Sequence, residues 1–451
     1  MALIDYTKDE FGMKLSTVVN AATPIRSIEH LKGRDQQLEE IERALYAVGR
    51  HIFVYGDRGV GKSSLAATAA YQHQSTDADP IFVSGSPSDT FQSIVANIAV
   101  QALGRSKTES IKKQRSASIT FRGMQWSSSN EVSALDLAGQ IKSIGDATEL
   151  LKQVAISHSD KPTVVLDEFD TIADVAERAK FASLLKQLGD QSIDLKFFIT
   201  GIGQSCQELL GAHPSAHRQL ATIELMRLSF EGRREIVDDA AAAFDLELDD
   251  DVNWRIALIS DGYPYYVHLL VEKMLWAAFD SSASNPTLGW DEFHAGLRVA
   301  VRETNAELRK PYERAVLQRP AELEDVVWST ADGDDLFRDI GSMFSSYKHV
   351  ISVRPERPEV DRAKYGDYLR KLKGVAYGSI LKPVPGRNGW YEYSEKMLRG
   401  YVRMQAEANE VTLNGEKSMP RQHMHIGNIR TGSYGPAIPR GVNQNRRIIK
   451  N

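Results

Sequence analysis

Apolar residues along this chain follow two rhythms. Short unbroken apolar runs occur at 51–55, 80–84, 163–166, 195–200 and 223–228. Between them lie stretches with helical spacing, such as Leu38, Ile41, Leu45 and Val48 within 34–48, and the segments 63–73 and 90–103. A run too short for a helix and apolar on both faces predicts a strand covered on both sides. Strands alternating with helices predict an α/β fold on a parallel sheet. The expected core is a five-stranded parallel sheet, with the 195–200 strand lying between those at 51–55 and 163–166.

The rhythm fails between Arg105 and Asp136, which is basic and then Ser-rich. That stretch reads as an insertion that could hold a hairpin. Residues 231–280 read as wholly helical, broken by Gly262-Tyr263-Pro264 and resumed by an apolar helix at 265–279. Pro286 and Gly289 mark a linker. Helices are expected at 290–317, 321–330, 335–347, 361–373 and 394–409, with strands at 379–384 and 390–393. Residues 1–23 read as a loose arm. The Gly-, Asn-, Pro- and Arg-containing tail 414–451 has no period and is expected to lack stable structure. The expected division is an arm 1–23, a core 24–230, a helical lid 231–285, a linker helix and C-terminal domain 286–413, and the basic tail 414–451.

The length of 451 residues allows two to four domains. With 42% hydrophobic and 25% charged residues, the chain is composed as a soluble globular protein. Its one cysteine, Cys206, excludes an internal disulfide and any multi-cysteine zinc or iron–sulfur site. A lone thiol suits a reducing cytosol. No apolar run is long enough to span a bilayer, and the first residues carry neither a basic region nor an apolar stretch. A cytoplasmic location without a membrane partner is therefore expected. The net charge of −5 is too small for wholesale coating of nucleic acid. Its distribution is more informative. Segment 235–251 carries eight acids and no base, 345–403 carries thirteen bases and six acids, and the tail from Asn414 carries seven bases and one acid. An anionic partner would meet the C-terminal third. The competing reading is that these faces are merely solvated.

The sharpest motif is Gly56-Asp57-Arg58-Gly59-Val60-Gly61-Lys62-Ser63, which fits GxxxxGK[ST], follows an apolar strand and opens a helix. Its glycines let the loop wrap a polyphosphate, and backbone N–H groups at the helix start face the phosphates. Lys62 would neutralise the β- and γ-phosphates, and the Ser63 hydroxyl would bind Mg²⁺. A second motif, Thr163-Val164-Val165-Leu166-Asp167-Glu168, is an apolar strand ending in two acids. Asp167 would hold Mg²⁺ and Glu168 would polarise the attacking water. Asp170 reads as a helix cap. Thr200, at the end of the strand between these motifs, is placed to hydrogen-bond the γ-phosphate or the water.

Together these residues resemble an AAA+ ATPase of the origin-recognition and related archaeal or STAND-like branch. The resemblance spans about residues 24–280. It implies ATP and Mg²⁺ as cofactors and a P-loop ATPase activity. It also implies an adenine pocket lined by Pro24, Ile25 and Arg34, with Ser64 continuing the phosphate loop. Arg218, before the fifth strand, matches an arginine that acts on a neighbour's nucleotide, which implies a homo-oligomer. The lid departs from the usual pattern: 260–268 contains no arginine, and Gly262-Tyr263-Pro264 is similar to STAND-type switches, with Pro264 at the nucleotide. This departure favours a slow, switch-like ATPase. His268 is read as a structural lid histidine.

The elements of 321–409 resemble the winged-helix domain that follows the ATPase in origin-recognition proteins. On its third helix Leu369 and Leu372, with Tyr365, are the expected anchors. Arg362, Lys364, Arg370, Lys371 and Lys373 would meet a phosphate backbone. Lys382, Arg387 and Asn388 form the expected wing tip, while Trp390, Tyr391 and Tyr393 are expected wing core. The partner implied is double-stranded DNA, bound through 345–403 and the tail. The alternative is a protein partner, since winged helices also dock proteins.

Overall fold

The computed structural model describes residues 3–76, 78–104, 118–121, 124–127, 134–212, 216–281 and 287–413. Helix α1 (Lys8–Val18) begins at a capping box between Thr7 and Glu10. Phe11 and Leu15, four residues apart, put one apolar face inward. Phe11 packs on Phe244, Trp276 and Phe279, with ring centroids 5.1, 4.8 and 4.4 Å away. The expected loose arm is therefore corrected at 8–18. Its partners lie far along the chain, so local pattern alone does not reveal them.

After α1 come α2 (Asp35–Leu45), β1 (His51–Tyr55), α3 (Lys62–His73), β2 (Ile81–Ser84) and α4 (Phe91–Gly104). The antiparallel hairpin of β3 (Ser118–Phe121) and β4 (Met124–Ser127) lies within the expected insertion. The chain continues through α5 (Ala134–Ala138), α6 (Ile144–His158), β5 (Thr163–Asp167), α7 (Val175–Asp190), β6 (Lys196–Gly201), α8 (Gly203–Ala212), α9 (Ala216–Gln219) and β7 (Leu220–Glu224). The sheet order is β2-β5-β6-β1-β7, with every pairing parallel, as the alternation of strands and helices predicts. Successive strand residues serve opposite faces. Ile52 and Val54 join α2 and α3 in one buried cluster; Phe53 joins α4, α6 and α7 in the other. The fifth strand occupies 220–224, not 223–228. Beyond it, Leu228 N–H donates to the Gly262 carbonyl at 2.8 Å, which turns the chain away from the sheet.

A helical unit follows: α10 (Phe230–Ala243), β8 (Glu247–Leu248), α11 (Asp250–Ile259), α12 (Pro264–Asp280), β9 (Thr287–Leu288) and α13 (Trp290–Glu303). β8 and β9 pair in parallel, so 231–280 is not wholly helical. The C-terminal unit comprises α14 (Ala306–Val316), α15 (Glu322–Thr330), β10 (Arg338–Asp339), α16 (Ile340–Ser352), α17 (Arg362–Lys371), β11 (Leu381–Pro383), β12 (Trp390–Tyr393) and α18 (Met397–Ala408). Its sheet has the order β10-β12-β11. The single helix expected at 290–317 is broken because Asn305 caps a new one, accepting from Glu307 N–H at 2.9 Å. The helix expected at 335–347 starts only at Ile340, after Asp339 caps it and 338–339 pair with β12. The tail expectation lies outside the described residues.

One buried carboxylate joins the two helical units. Asp261 lies between α11 and α12 with φ of 55°. It accepts from Arg399 Nε and Nη2 at 2.7 and 2.6 Å, and from Arg227 Nη1 at 2.7 Å; Arg403 Nη1 is 3.2 Å away. Burial by itself would raise the Asp261 pKa, but Arg399, Arg403 and Arg227 hold it well below the usual carboxylate range. Replacing Asp261 by Asn leaves three guanidinium groups without their counter-charge. The expected loss is about 3–5 kcal/mol in denaturant unfolding. A depressed pKa stabilises above the unfolded value of about 4, and that contribution disappears as pH falls through it. The wild-type melting temperature should therefore fall more steeply below pH 4 than that of Asp261→Asn.

Candidate functional site

The loop between β1 and α3 runs against the rest of the core, which restricts its side chains. A Cβ on Gly56 would overlap the Leu225 carbonyl, and Gly61, at the helix start, has φ of 97°. Val60 is buried behind the loop. Its carbonyl accepts from Arg34 Nη2 at 2.8 Å, and the same nitrogen donates to the Met226 carbonyl at 2.9 Å. Arg34 thus braces the loop from behind and does not line the cavity in front of it, contrary to the expectation of an adenine contact. Burial pushes its pKa down to about 10.

Lys62 Nζ donates to the Gly56 and Asp57 carbonyls at 3.1 and 2.9 Å, so the lysine folds back over the loop. Burial lowers its pKa most strongly, opposed by Asp170, Asp167, Asp57 and Glu168. Asp167 is the meeting point of three elements. Its Oδ1 accepts from Ser63 Oγ at 2.8 Å and also from Thr200 Oγ1. Thr200 Oγ1 in turn accepts from Glu168 N–H at 3.1 Å. Glu168 has φ of 53°, and its carbonyl accepts from both the N–H and O–H of Thr171, at 2.9 and 2.7 Å. β5 and β6 are neighbours, so Asp167 and Thr200 meet outside the carboxyl ends of the sheet, where open α/β sheets place ligands.

These groups open on a cavity of about 630 Å³. Gly59, Gly61, Lys62, Ser63 and Ser64 line it with Asp167, Glu168 and Thr200. Pro24 and Ile25 form another wall, held to α3 because Ile25 N–H donates to Ser64 Oγ at 3.1 Å and Thr68 Oγ1 donates to the Ile25 carbonyl at 3.2 Å. Pro264, Tyr265 and His268 on α12 also line it. Gly56, Asp57 and Val60 are not among the lining residues. Arg218 is on exposed α9 and is not among the lining residues.

Residues 30–199 match the AAA ATPase domain family. No curated protein matches the sequence. Among solved structures, a Walker-type ATPase of Pyrococcus abyssi is 14% identical, with 84% of this chain and 98% of that chain covered and a TM-score of 0.49. The ORC2 protein of Aeropyrum pernix, in its ADPNP–ADP complexes, is 15% identical, with 87% and 98% covered and a TM-score of 0.46. The RuvB Holliday junction branch migration motor of Thermotoga maritima is 16% identical, with 82% and 95% covered and a TM-score of 0.41.

The region that matches the AAA ATPase domain family carries a donor set suited to a hard cation. Ser63 and Asp167 offer oxygens at one point, which fits Mg²⁺. Among the described residues no cluster of three or more His, Cys, Asp or Glu could hold a metal. Mg²⁺ needs none, since it keeps waters and takes further oxygens from substrate phosphates. Sequence reasoning missed several lining residues. Asp170 lines the cavity, while the cap of α7 is Asp174, which accepts from Ala176 N–H at 2.8 Å. Tyr265 was signalled by its neighbour Pro264. Glu395 reaches the cavity from the C-terminal unit by tertiary packing, which leaves no local signal. Thr200→Val removes the hydroxyl that joins Asp167 to the Glu168 backbone. Turnover of ATP should fall roughly 10- to 100-fold in a phosphate-release assay, with calorimetric nucleotide affinity changed by no more than about two-fold.

Proposed function

We propose that this chain is a Mg²⁺-dependent AAA+ ATPase whose slow hydrolysis sets the state of a DNA-associated switch or loader. The observation that carries the ATPase reading is the convergence of Ser63 and Thr200 on Asp167, with the Glu168 N–H bonded to Thr200, beside Lys62. Lys62 binds the β- and γ-phosphates, exchanging its two loop carbonyls for phosphate oxygens. Ser63 and Asp167 hold Mg²⁺, which when bound shields and orients the phosphates. The Glu168 carboxylate accepts the proton of the attacking water. Thr200 fixes the backbone from which Glu168 projects. Slowness follows from what the helical lid omits. Arg58 is the cavity's arginine among the described residues, and it pairs with Glu307 at 2.8 Å. Arg218 would complete the site only from a neighbouring copy.

The DNA reading rests on α17. Tyr365, Leu369 and Leu372 are buried, whereas Arg362, Lys364, Arg370, Lys371 and Lys373 are exposed. Lys382, Arg387 and Asn388 are exposed on β11 and the turn after it. This arrangement supports a winged helix presenting cations to a phosphate backbone. Lys364 pairs with Glu322, Arg370 with Asp367 and Lys382 with Glu392. The Arg370–Asp367 pair is exposed on both sides, and such a pair holds by at most about 1 kcal/mol, so a polyanion can displace it. A second reading is a STAND-type signalling or defence switch whose winged helix binds protein. It is favoured by Lys396, which contacts both carboxylate oxygens of Asp57 at 2.9 Å and so holds the phosphate loop from the C-terminal unit.

Glu168→Gln should keep ATP binding and lose hydrolysis, because an amide does not accept the proton of the attacking water; Lys62→Ala should weaken binding itself. Equal turnover by wild type and Glu168→Gln would remove Glu168 as the base. Arg370→Glu with Lys371→Glu should weaken duplex binding about ten-fold or more at moderate salt while sparing hydrolysis. Titration of a labelled duplex at several salt concentrations checks this. Curves that match the wild type would shift the assignment to the protein-binding switch.

A further inference from the structure

Of the described residues that line the cavity, only His268 has buried polar side-chain atoms without a partner. Both ring nitrogens are in that condition, and the residue is 4% exposed. Burial, reinforced by the charge of nearby His30, pushes its pKa down to about 4. At neutral pH the ring is therefore neutral and offers one N–H donor and one acceptor lone pair. A buried polar group left unpaired is costly, and an apolar ring would serve α12 better as simple core.

The position of His268 indicates what supplies the missing partner. It lies one turn after Pro264, whose Cγ is 3.9 Å from where a Cβ on Gly61 would stand. Pro264 thus covers the start of α3, where the phosphates enter. His30, near the imidazole, lies between the Pro24–Ile25 wall and α2. His268 therefore belongs to the wall a turn beyond the phosphate loop. A nucleotide that sets its phosphates on Lys62 directs its base toward this wall.

We propose that His268 is the lid's hydrogen-bonding contact to the nucleobase and so sets base recognition at this site. Adenine presents an amino donor and ring-nitrogen acceptors, which match the acceptor and donor of a neutral imidazole. Because both ring nitrogens are sealed in the described state, the base reaches them as α12 adjusts. Base recognition is thereby tied to the position of the lid. The inference rests on the reading of the cavity as a nucleoside triphosphate site.

The test separates base from phosphates. His268→Phe keeps a ring in the apolar lid and removes both nitrogens. Its affinity for ATP should fall about ten-fold by calorimetry. Its affinity for inorganic tripolyphosphate with Mg²⁺ should match the wild type. KM for ATP should rise while kcat holds, and the melting temperature without nucleotide should not drop. His268→Gln, which retains a donor and an acceptor, should recover part of the ATP affinity. Should the phenylalanine not fold, His268→Leu carries the same comparison. Unchanged ATP affinity overturns the base contact, as does an equal loss for ATP and tripolyphosphate. A wild type that binds neither ligand overturns the underlying reading of the cavity instead.

Discussion

The carboxylate of Asp261 lies in the interior among the guanidinium groups of Arg227, Arg399 and Arg403. Each cation comes from a different place: the exit from β7, the first turn of α18 and its second turn. Asp261 also begins the sharp turn into α12, followed by Gly262 with φ of 81°. Two parts of the cavity depend on this arrangement. Pro264, Tyr265 and His268 follow Asp261 directly on α12. Glu395, Lys396 and Met397 directly precede Arg399 and lie against the phosphate loop, where a Cβ on Gly59 would overlap the Met397 sulfur.

One anion does not neutralise three cations, so backbone carbonyls complete the site. Arg399 Nη1 donates to the Asp335 carbonyl at 2.6 Å, and its Nη2 to that of Asp334 at 3.1 Å. Arg403 Nε donates to the Ala331 carbonyl at 2.9 Å and its Nη1 to that of Leu258 at 3.1 Å. These carbonyls belong to the segment after α15 and to α11. The network therefore fixes relative position as well as charge. A buried ion cluster is weak evidence of net stability, since an apolar replacement can do as well. Its stronger consequence is that removing Asp261 leaves desolvated guanidinium charges without their shared partner, so the helical unit and the C-terminal unit are held as one body.

The parts legible in the sequence were those written locally. The phosphate loop and the Asp167-Glu168 strand end are contiguous motifs, and their strand–loop–helix context is set by neighbouring residues. Strands β1, β5 and β6 were legible because each is buried on both faces, whereas the half-exposed edge strand β7 was placed three residues too late. What depended on distant packing was misread. Phe11 needs Phe244 and Trp276 to become core. Arg34 carries a side chain that suits a ligand, but it bonds two carbonyls behind the loop. The basic count over 345–403 also overstated the exposed charge. Arg399 and Arg403 are buried on Asp261, and Arg354 is bonded to buried Asp325 and lies over the Trp328 ring. The sum of charges along a segment does not distinguish a cation facing water from one neutralised inside. Arg399 lies 138 residues from its partner, beyond any local pattern.

The relative strengths of these contacts decide where the molecule can give. The Lys396–Asp57 pair is about a third exposed on each side, and pairs so placed contribute up to about 1 kcal/mol. Breaking the Asp261 cluster costs several times more. Separation of the C-terminal unit from the phosphate loop therefore carries α12 with it, and does not open the joint between the two helical units. Any bend therefore falls before Arg227, which the Asp261 cluster holds, and before Leu228, whose N–H meets the Gly262 carbonyl at 2.8 Å. A group that displaces Lys396 from Asp57 would thus also move Pro264 and His268. The phosphate side and the lid side of the cavity are coupled through the body that Asp261 holds together.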